Sequence, residues 1–260
     1  MPSTYAHFKF ANQVLENLPS QLQNIIEDNK TLYLIGCHGP DILFYYKAIK
    51  RNAINDQGYA LHGEKALPFF ENAKKVIENS SDKSASLSYI MGFITHFALD
   101  SECHGYVEEK RRTGAASHTK IEVEFDRALL IADGKDPLRQ KLAEHIQAES
   151  EYASIIAPFF GLEAKIIKKT LKDMKFICNL FVAPGKIKRG LLNGIFSAMG
   201  ANELKDQIVG YEPYPACSDS TEILTEKMKG ALPVALELIQ SYANAENGQS
   251  LSQRFNATYE

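Results

Sequence analysis

The chain has 260 residues, enough for one large domain or two small ones, with 45% hydrophobic and 23% charged residues, an ordinary globular balance. Its formal net charge of −3 supplies no global field for nucleic acid or anionic lipid, so any such contact has to be local. No run approaches the roughly 20 apolar residues that span a bilayer, and the opening MPSTYAHFKFANQVLENLP has no apolar segment after a basic start, which excludes a secretory signal there.

Taken in chain order, the dominant period is helical. Apolar positions Val14, Leu15, Leu18, Leu22, Ile25 and Ile26 recur at three and four residues and predict a helix over 12–28. GPDILFYYKAIK predicts an apolar helix over 39–50, and the pattern continues over 64–79, 85–105, 117–132, 137–157, 162–182 and 221–243. Gly114, Asp133-Gly134 and Pro184-Gly185 punctuate these segments, and no long alternating pattern suggests a strand. The expected fold is all-α, a single compact multi-helix bundle over 1–260, with little sign of an internal boundary. The four cysteines, Cys37, Cys103, Cys178 and Cys217, form no CxxC pair. They read as reduced thiols in a cytosol, although an even count also permits two disulfides.

Residues 85–105, ASLSYIMGFITHFALDSECHG, are apolar nearly all round and predict a central buried helix. Ionisable groups inside such a helix need partners. His96, Asp100 and His104 follow one another at four-residue steps, which places them along one stripe with about 12 Å between its ends. A zinc–ligand bond is about 2 Å, so one ion takes neighbours on this stripe but not both ends. If all three are ligands, at least two ions are involved. His118 and Glu122, again four apart, would join His104 to make three ligands with a position left for water, a catalytic pattern. Spacing alone is a weak signal. A His is followed four residues on by an acid at His96/Asp100, His104/Glu108, His118/Glu122 and His145/Glu149, and the last reads as an exposed helix pair.

Set in order, STYAHFKF, GCHGPDILFYY, ALHGE, HFALD with the later His, and HTKIE resemble the zinc-dependent phospholipase C family. The resemblance covers residues 1–130, the expected metal part, while 131–260 matches only as helical remainder. It implies an all-helical phosphodiesterase with a cluster of two or three zinc ions. Carried over by position, it implies that Asp41, His62, His96 and Asp100 hold the first zinc, and that His104, His118 and Glu122 hold the second. His7, with Asp100 bridging, belongs to a third, completed by the amino end at Met1 or Pro2. The implied reaction is attack of metal-activated hydroxide on phosphorus, with Asp41 also orienting the water; Tyr5, Phe44, Tyr45 and Tyr46 could wall the pocket, although core packing is the better expectation for Phe44. The implied substrate is a phospholipid or another phosphodiester.

Alternatives stand beside these readings. Asp41 after Gly-Pro is also a helix cap, His62 before Gly63 a loop residue, His7 a plain helix residue, and His38 a loop histidine, an outer contact of the metal site or a phosphate contact. The chain is also readable as a non-catalytic, metal-stabilised lipid- or protein-binding domain, or as a nuclease-like phosphodiesterase. The absence of Trp and of basic charge overall gives no strong nucleic-acid signal. One segment is locally basic: 165–189 carries eight Lys or Arg against the single acid Asp173, with Phe176 and Phe181 interleaved and Leu191 and Phe196 following. It reads as a solvated helix face or as a membrane-surface contact.

Overall fold

The computed structural model describes residues 4–245 and 250–259. Among these every regular element is a helix, in agreement with the all-α expectation. In order they are α1 (Thr4–Asn17), α2 (Ser20–Asp28), α3 (Lys30–Gly36), a 3-10 segment (Gly39–Tyr45), α4 (Ala53–Gly63), α5 (Leu67–Asn79) and α6 (Lys83–Arg112). Then follow α7 (His118–Ala132), α8 (Ser150–Phe160), α9 (Ala164–Phe181), α10 (Lys186–Ala198), two short 3-10 turns (Asn202–Gln207 and Pro215–Cys217), α11 (Ser218–Asn244) and a last turn (Gln253–Asn256).

The predicted central helix is α6, opened by the Asp82 side chain accepting from Ala85 N at 2.9 Å. It is buried from Ala85 to Val107 on almost every turn and packs chiefly against α3 and α11. The approach to α3 is close enough to require glycine. A Cβ on Gly92 would stand 2.1 Å from the Tyr33 carbonyl oxygen, and one on Gly36 would stand 2.2 Å from that of Tyr89. This contact fixes where α3 delivers the Gly39–Tyr45 segment. Gly39 has φ +50°, and a Cβ there would strike the His96 ring at 2.3 Å.

Several predicted boundaries are corrected. The helix over 12–28 is two helices, because Pro19 has no N–H to donate and disfavours helical geometry at Leu18. Residues 39–50 are not an α-helix: the 3-10 segment ends at Tyr45, and Asn55 Nδ2 donates to the carbonyls of Leu43, Phe44 and Tyr46. Helices α4 and α10 lie outside every predicted segment. Residues 137–149 are irregular, and only 150–160 are helical. There tertiary contacts override the helical pattern: Ala143 and Ile146 are buried, and His145 Nε2 lies 2.7 Å from His38 Nε2. His145 and Glu149 are therefore not a helix pair. All four cysteines are buried and free, so no disulfide forms. No helix among the described residues is long and apolar enough to cross a membrane.

Candidate metal centre

The eight residues singled out in the sequence come from five elements and meet beside α6. Asp126 on α7 accepts from the backbone N–H groups of Tyr5 and Ala6 at 2.9 and 2.8 Å. This caps the start of α1 and sets His7 against α6, with His7 Nε2 3.1 Å from Asp100 Oδ1. Asp41 is buried, makes no side-chain cap bond, and lies 2.9 Å from His62 Nε2, so neither the cap nor the loop alternative holds. His62 is on α4. His96 Nε2 is 3.0 Å from Asp100 Oδ2, and its Nδ1 is 4.0 Å from Asp41 Oδ2. Both His104 Nε2 and His118 Nε2 face Glu122 Oε1, at 3.3 and 3.0 Å.

Within this set of eight, ligand atoms come within 4.8 Å of one another in three groups: His7, His96 and Asp100; Asp41, His62 and His96; and His104, His118 and Glu122. Each group could hold an ion. Asp100 also stands 3.9 Å from both His62 Nε2 and His104 Nδ1, between the two ends of the stripe. The amino-terminal contribution expected from Met1 or Pro2 falls outside the described residues.

Two features separate this cluster from an ordinary buried salt-bridge network. First, seven buried atoms lack a well-directed hydrogen bond among the described residues: His7 Nδ1, both oxygens of Asp41, both ring nitrogens of His96, Asp100 Oδ2 and Glu122 Oε2, although Asp41 Oδ1 approaches His62 Nε2 at 2.9 Å and Asp100 Oδ2 approaches His96 Nε2 at 3.0 Å. Buried polar atoms are rarely left so, and a cation held between them would satisfy them. Second, three imidazoles are held from behind. His62 Nδ1 donates to the Gly58 carbonyl at 2.8 Å, His104 Nδ1 to the Tyr259 carbonyl at 3.1 Å, and His118 Nδ1 to Glu108 Oε1 at 2.8 Å. Each such bond leaves Nε2 turned toward a carboxylate, the outer-shell arrangement that fixes a metal-binding tautomer. Donor types and spacing thus fit zinc.

The charges are strongly coupled. Burial opposes ionisation of Asp100, yet the imidazoles of His104, His96 and His7 outweigh it and hold the carboxyl well below its usual range. Burial likewise opposes the charge on Glu122, but hydrogen bonds from His104 and His118 bring it down to about 2. His104 is raised to about 10: burial disfavours its cation, and Asp100 and Glu122 more than compensate. His7, His62 and His118 are raised against their own burial by neighbouring carboxylates, whereas burial dominates at His96 and lowers it.

Sequence spacing missed the outer partners. It paired Glu108 with His104, but Glu108 reaches across to His118 instead. Tyr259 is 155 residues from His104 in sequence, and nothing local announces it. Its ring packs beside His62 and His96. Phe44 stacks on His62 and Tyr59, while Tyr45 is core and Tyr5 bonds Asp133. His38 lies in the turn between α3 and the 3-10 segment, as a loop histidine, but is buried there beside Cys37 and His145. Because Glu108 orients the least buried imidazole, Glu108→Gln is expected to weaken one metal site by roughly 10–100-fold, measured by competition with a zinc indicator.

Residues 6–173, well over half of the chain, match the family model described as zinc dependent phospholipase C. Neither a curated protein nor a solved structure matches the chain.

Proposed function

The chain belongs to the zinc-dependent phospholipase C family, and we propose that it hydrolyses phosphodiester bonds in phospholipid-like substrates. In this reading Asp41, His62, His96 and Asp100 hold one zinc and His104, His118 and Glu122 a second, while His7 shares Asp100 toward a third. The observation that carries it is the orientation of the imidazoles: His62, His104 and His118 each have Nδ1 tied to an outer acceptor and Nε2 turned to a buried carboxylate.

Zinc, when bound, supplies a water acidified toward neutrality and positive charge against the phosphate oxygens. The chain's residues supply the rest. Asp41, buried against His62 Nε2 at 2.9 Å, orients the attacking water. Asp100 and Glu122, held ionised, balance the charge of the cluster and keep their neighbouring imidazoles in place. His118, with a quarter of its side chain exposed, marks the side from which a substrate phosphate reaches the centre. The Gly58 and Tyr259 carbonyls and Glu108 keep the ring planes fixed during turnover.

One observation favours a second reading, a metal-stabilised domain without turnover: every site residue except His118 is buried. Metal analysis with a chromogenic soluble phosphodiester separates the two. Two or three zincs per chain, with turnover lost in His118→Ala, support the hydrolase; bound zinc without turnover supports the rival. No bound metal after chelator-free purification would sink the ligand assignment. The four free thiols support a reducing compartment such as the cytosol.

Metal uptake is expected to depend on pH with a definite sign. His104, raised to about 10, is protonated at neutral pH in the chelated protein, and neighbouring carboxylates shift His62 and His118 in the same direction. Zinc must displace these protons, so its affinity rises with pH, by up to about tenfold per unit for each proton displaced. Calorimetry in buffers of different ionisation enthalpy should register proton release on zinc binding at pH 7.

A further inference from the structure

Helix α10 begins beyond residue 173, where the family match ends. Its inner face is satisfied: Leu192 and Phe196 pack with Ala183 and Ile208, and against Leu180, Phe181 and Leu204, in a small core separate from the main one. Its outer face is not. Ile187, Leu191 and Ile195, continued by Met199, are 83%, 64%, 52% and 55% exposed. At four-residue spacing they form one ridge. A water-facing helix surface does not ordinarily carry four large apolar side chains in a row.

The stretch of chain leading into and through α10 is rich in positive charge. Asp173 is the one acid between 165 and 200, and Lys169 Nζ lies 2.8 Å from its carboxylate. Lys172 and Lys186 are exposed and make no ion pair among the described residues. A second copy of the chain would bring like charges together at this face, which disfavours self-association. An anionic bilayer matches both features, with apolar side chains entering the acyl boundary and lysines the phosphate layer.

Position supplies the third argument. Arg189 on α10 donates to the Val209 carbonyl at 2.7 Å, just past the Asn202–Gln207 turn that packs on α10. In that turn Asp206 accepts from Ser117 Oγ at 2.7 Å, beside His118. The ridge is therefore tied through one short turn to the accessible edge of the metal centre.

We propose that α10 docks on the surface of an anionic phospholipid bilayer, with the Ile187, Leu191, Ile195 and Met199 ridge inserted and the flanking lysines on the lipid phosphates. The choice of a bilayer as partner rests on the phospholipid reading of the metal centre. The probe is co-sedimentation with phosphatidylcholine vesicles, with and without phosphatidylglycerol, alongside turnover of a soluble phosphodiester by the same samples. Wild type is expected to sediment with the phosphatidylglycerol vesicles. The double variant Ile187→Asp/Leu191→Asp should bind on the order of a hundredfold more weakly. Lys172→Glu/Lys186→Glu, which leaves the ridge and its small core untouched, should lose the preference for anionic vesicles. Soluble turnover should be the same in all three.

Wild type that stays in the supernatant, or a ridge variant that sediments like wild type, overturns the proposal. So does a wild-type dimer in solution that the ridge variant converts to monomer. Vesicle binding lost in the variants while soluble turnover is absent in every sample supports docking and removes the hydrolase reading. Soluble turnover without any vesicle binding does the reverse.

Discussion

Asp100→Asn is expected to lower turnover by roughly 100- to 1,000-fold and to cost the chain at least one zinc. The side chains have nearly the same shape, so the change removes charge and leaves the packing. In the wild type one carboxylate faces four imidazoles: His7 at 3.1 Å, His96 at 3.0 Å, and His62 and His104 at 3.9 Å. Its Oδ2 stands 3.0 Å from His96 Nε2 and 3.9 Å from His104 Nδ1, so it reaches both ends of the helical stripe. An amide oxygen is a poorer ligand and supplies no charge to offset cations on either side. His104 would also fall from its raised value of about 10, because Asp100 is the largest influence raising it. The outcome is read by zinc content and by steady-state turnover of a soluble phosphodiester. Full zinc content with unchanged turnover would place Asp100 outside the centre.

The same variant has a pH signature after chelation. Asp100 is held well below its usual range in the folded chain. Its contribution to stability is therefore present above about pH 4, the unfolded value, and is lost as pH falls through the lower folded value. Chelated wild type should lose stability across that acid range more steeply than chelated Asp100→Asn, in denaturant melts at matched ionic strength.

The stripe of His96, Asp100 and His104 was legible because a helix converts sequence spacing into distance. The pairing of His118 with Glu122 was legible for the same reason, and the structure brings both to His104. Glu108 shows the limit of that rule. It is four residues from His104, the favourable helical spacing, yet it bonds His118 across the turn between two helices. Tyr259 and Asp126 act on the site through contacts that span more than a hundred residues, which no local period encodes. Residues 137–149 failed for the opposite reason. Their pattern is helical, but burial of Ala143 and Ile146 and the bond between His145 and His38 hold them irregular. In the basic segment composition did not reveal side: Phe181 is half-buried and Phe196 buried in the small core, while Phe176 and Leu191 face outward.

The largest expected effect on folding comes from a single methyl group. Gly92→Ala places a Cβ 2.1 Å from the Tyr33 carbonyl oxygen, 2.9 Å from its carbon and 3.1 Å from Cys37 N. All three neighbours are backbone, so no rotamer relieves the contact and α3 must move away from α6. Alanine gains up to about 1 kcal/mol in helix propensity over glycine. Overpacking of this kind costs about 3 kcal/mol, so the steric cost wins. The melting temperature should fall by several degrees. Function should follow, because α3 delivers Gly39 over the His96 ring and Asp41 toward His62. Zinc content is expected to drop although no ligand has changed. Gly105→Ala on the same helix is the control. Nothing lies within 4 Å of its added Cβ, the site is exposed, and only the propensity gain remains. It should raise stability by about 0.5–1 kcal/mol. Opposite signs for one substitution at two positions of α6 would locate the effect in the α3 contact; equal signs would mean that α3 does not pack there as closely as its glycines allow.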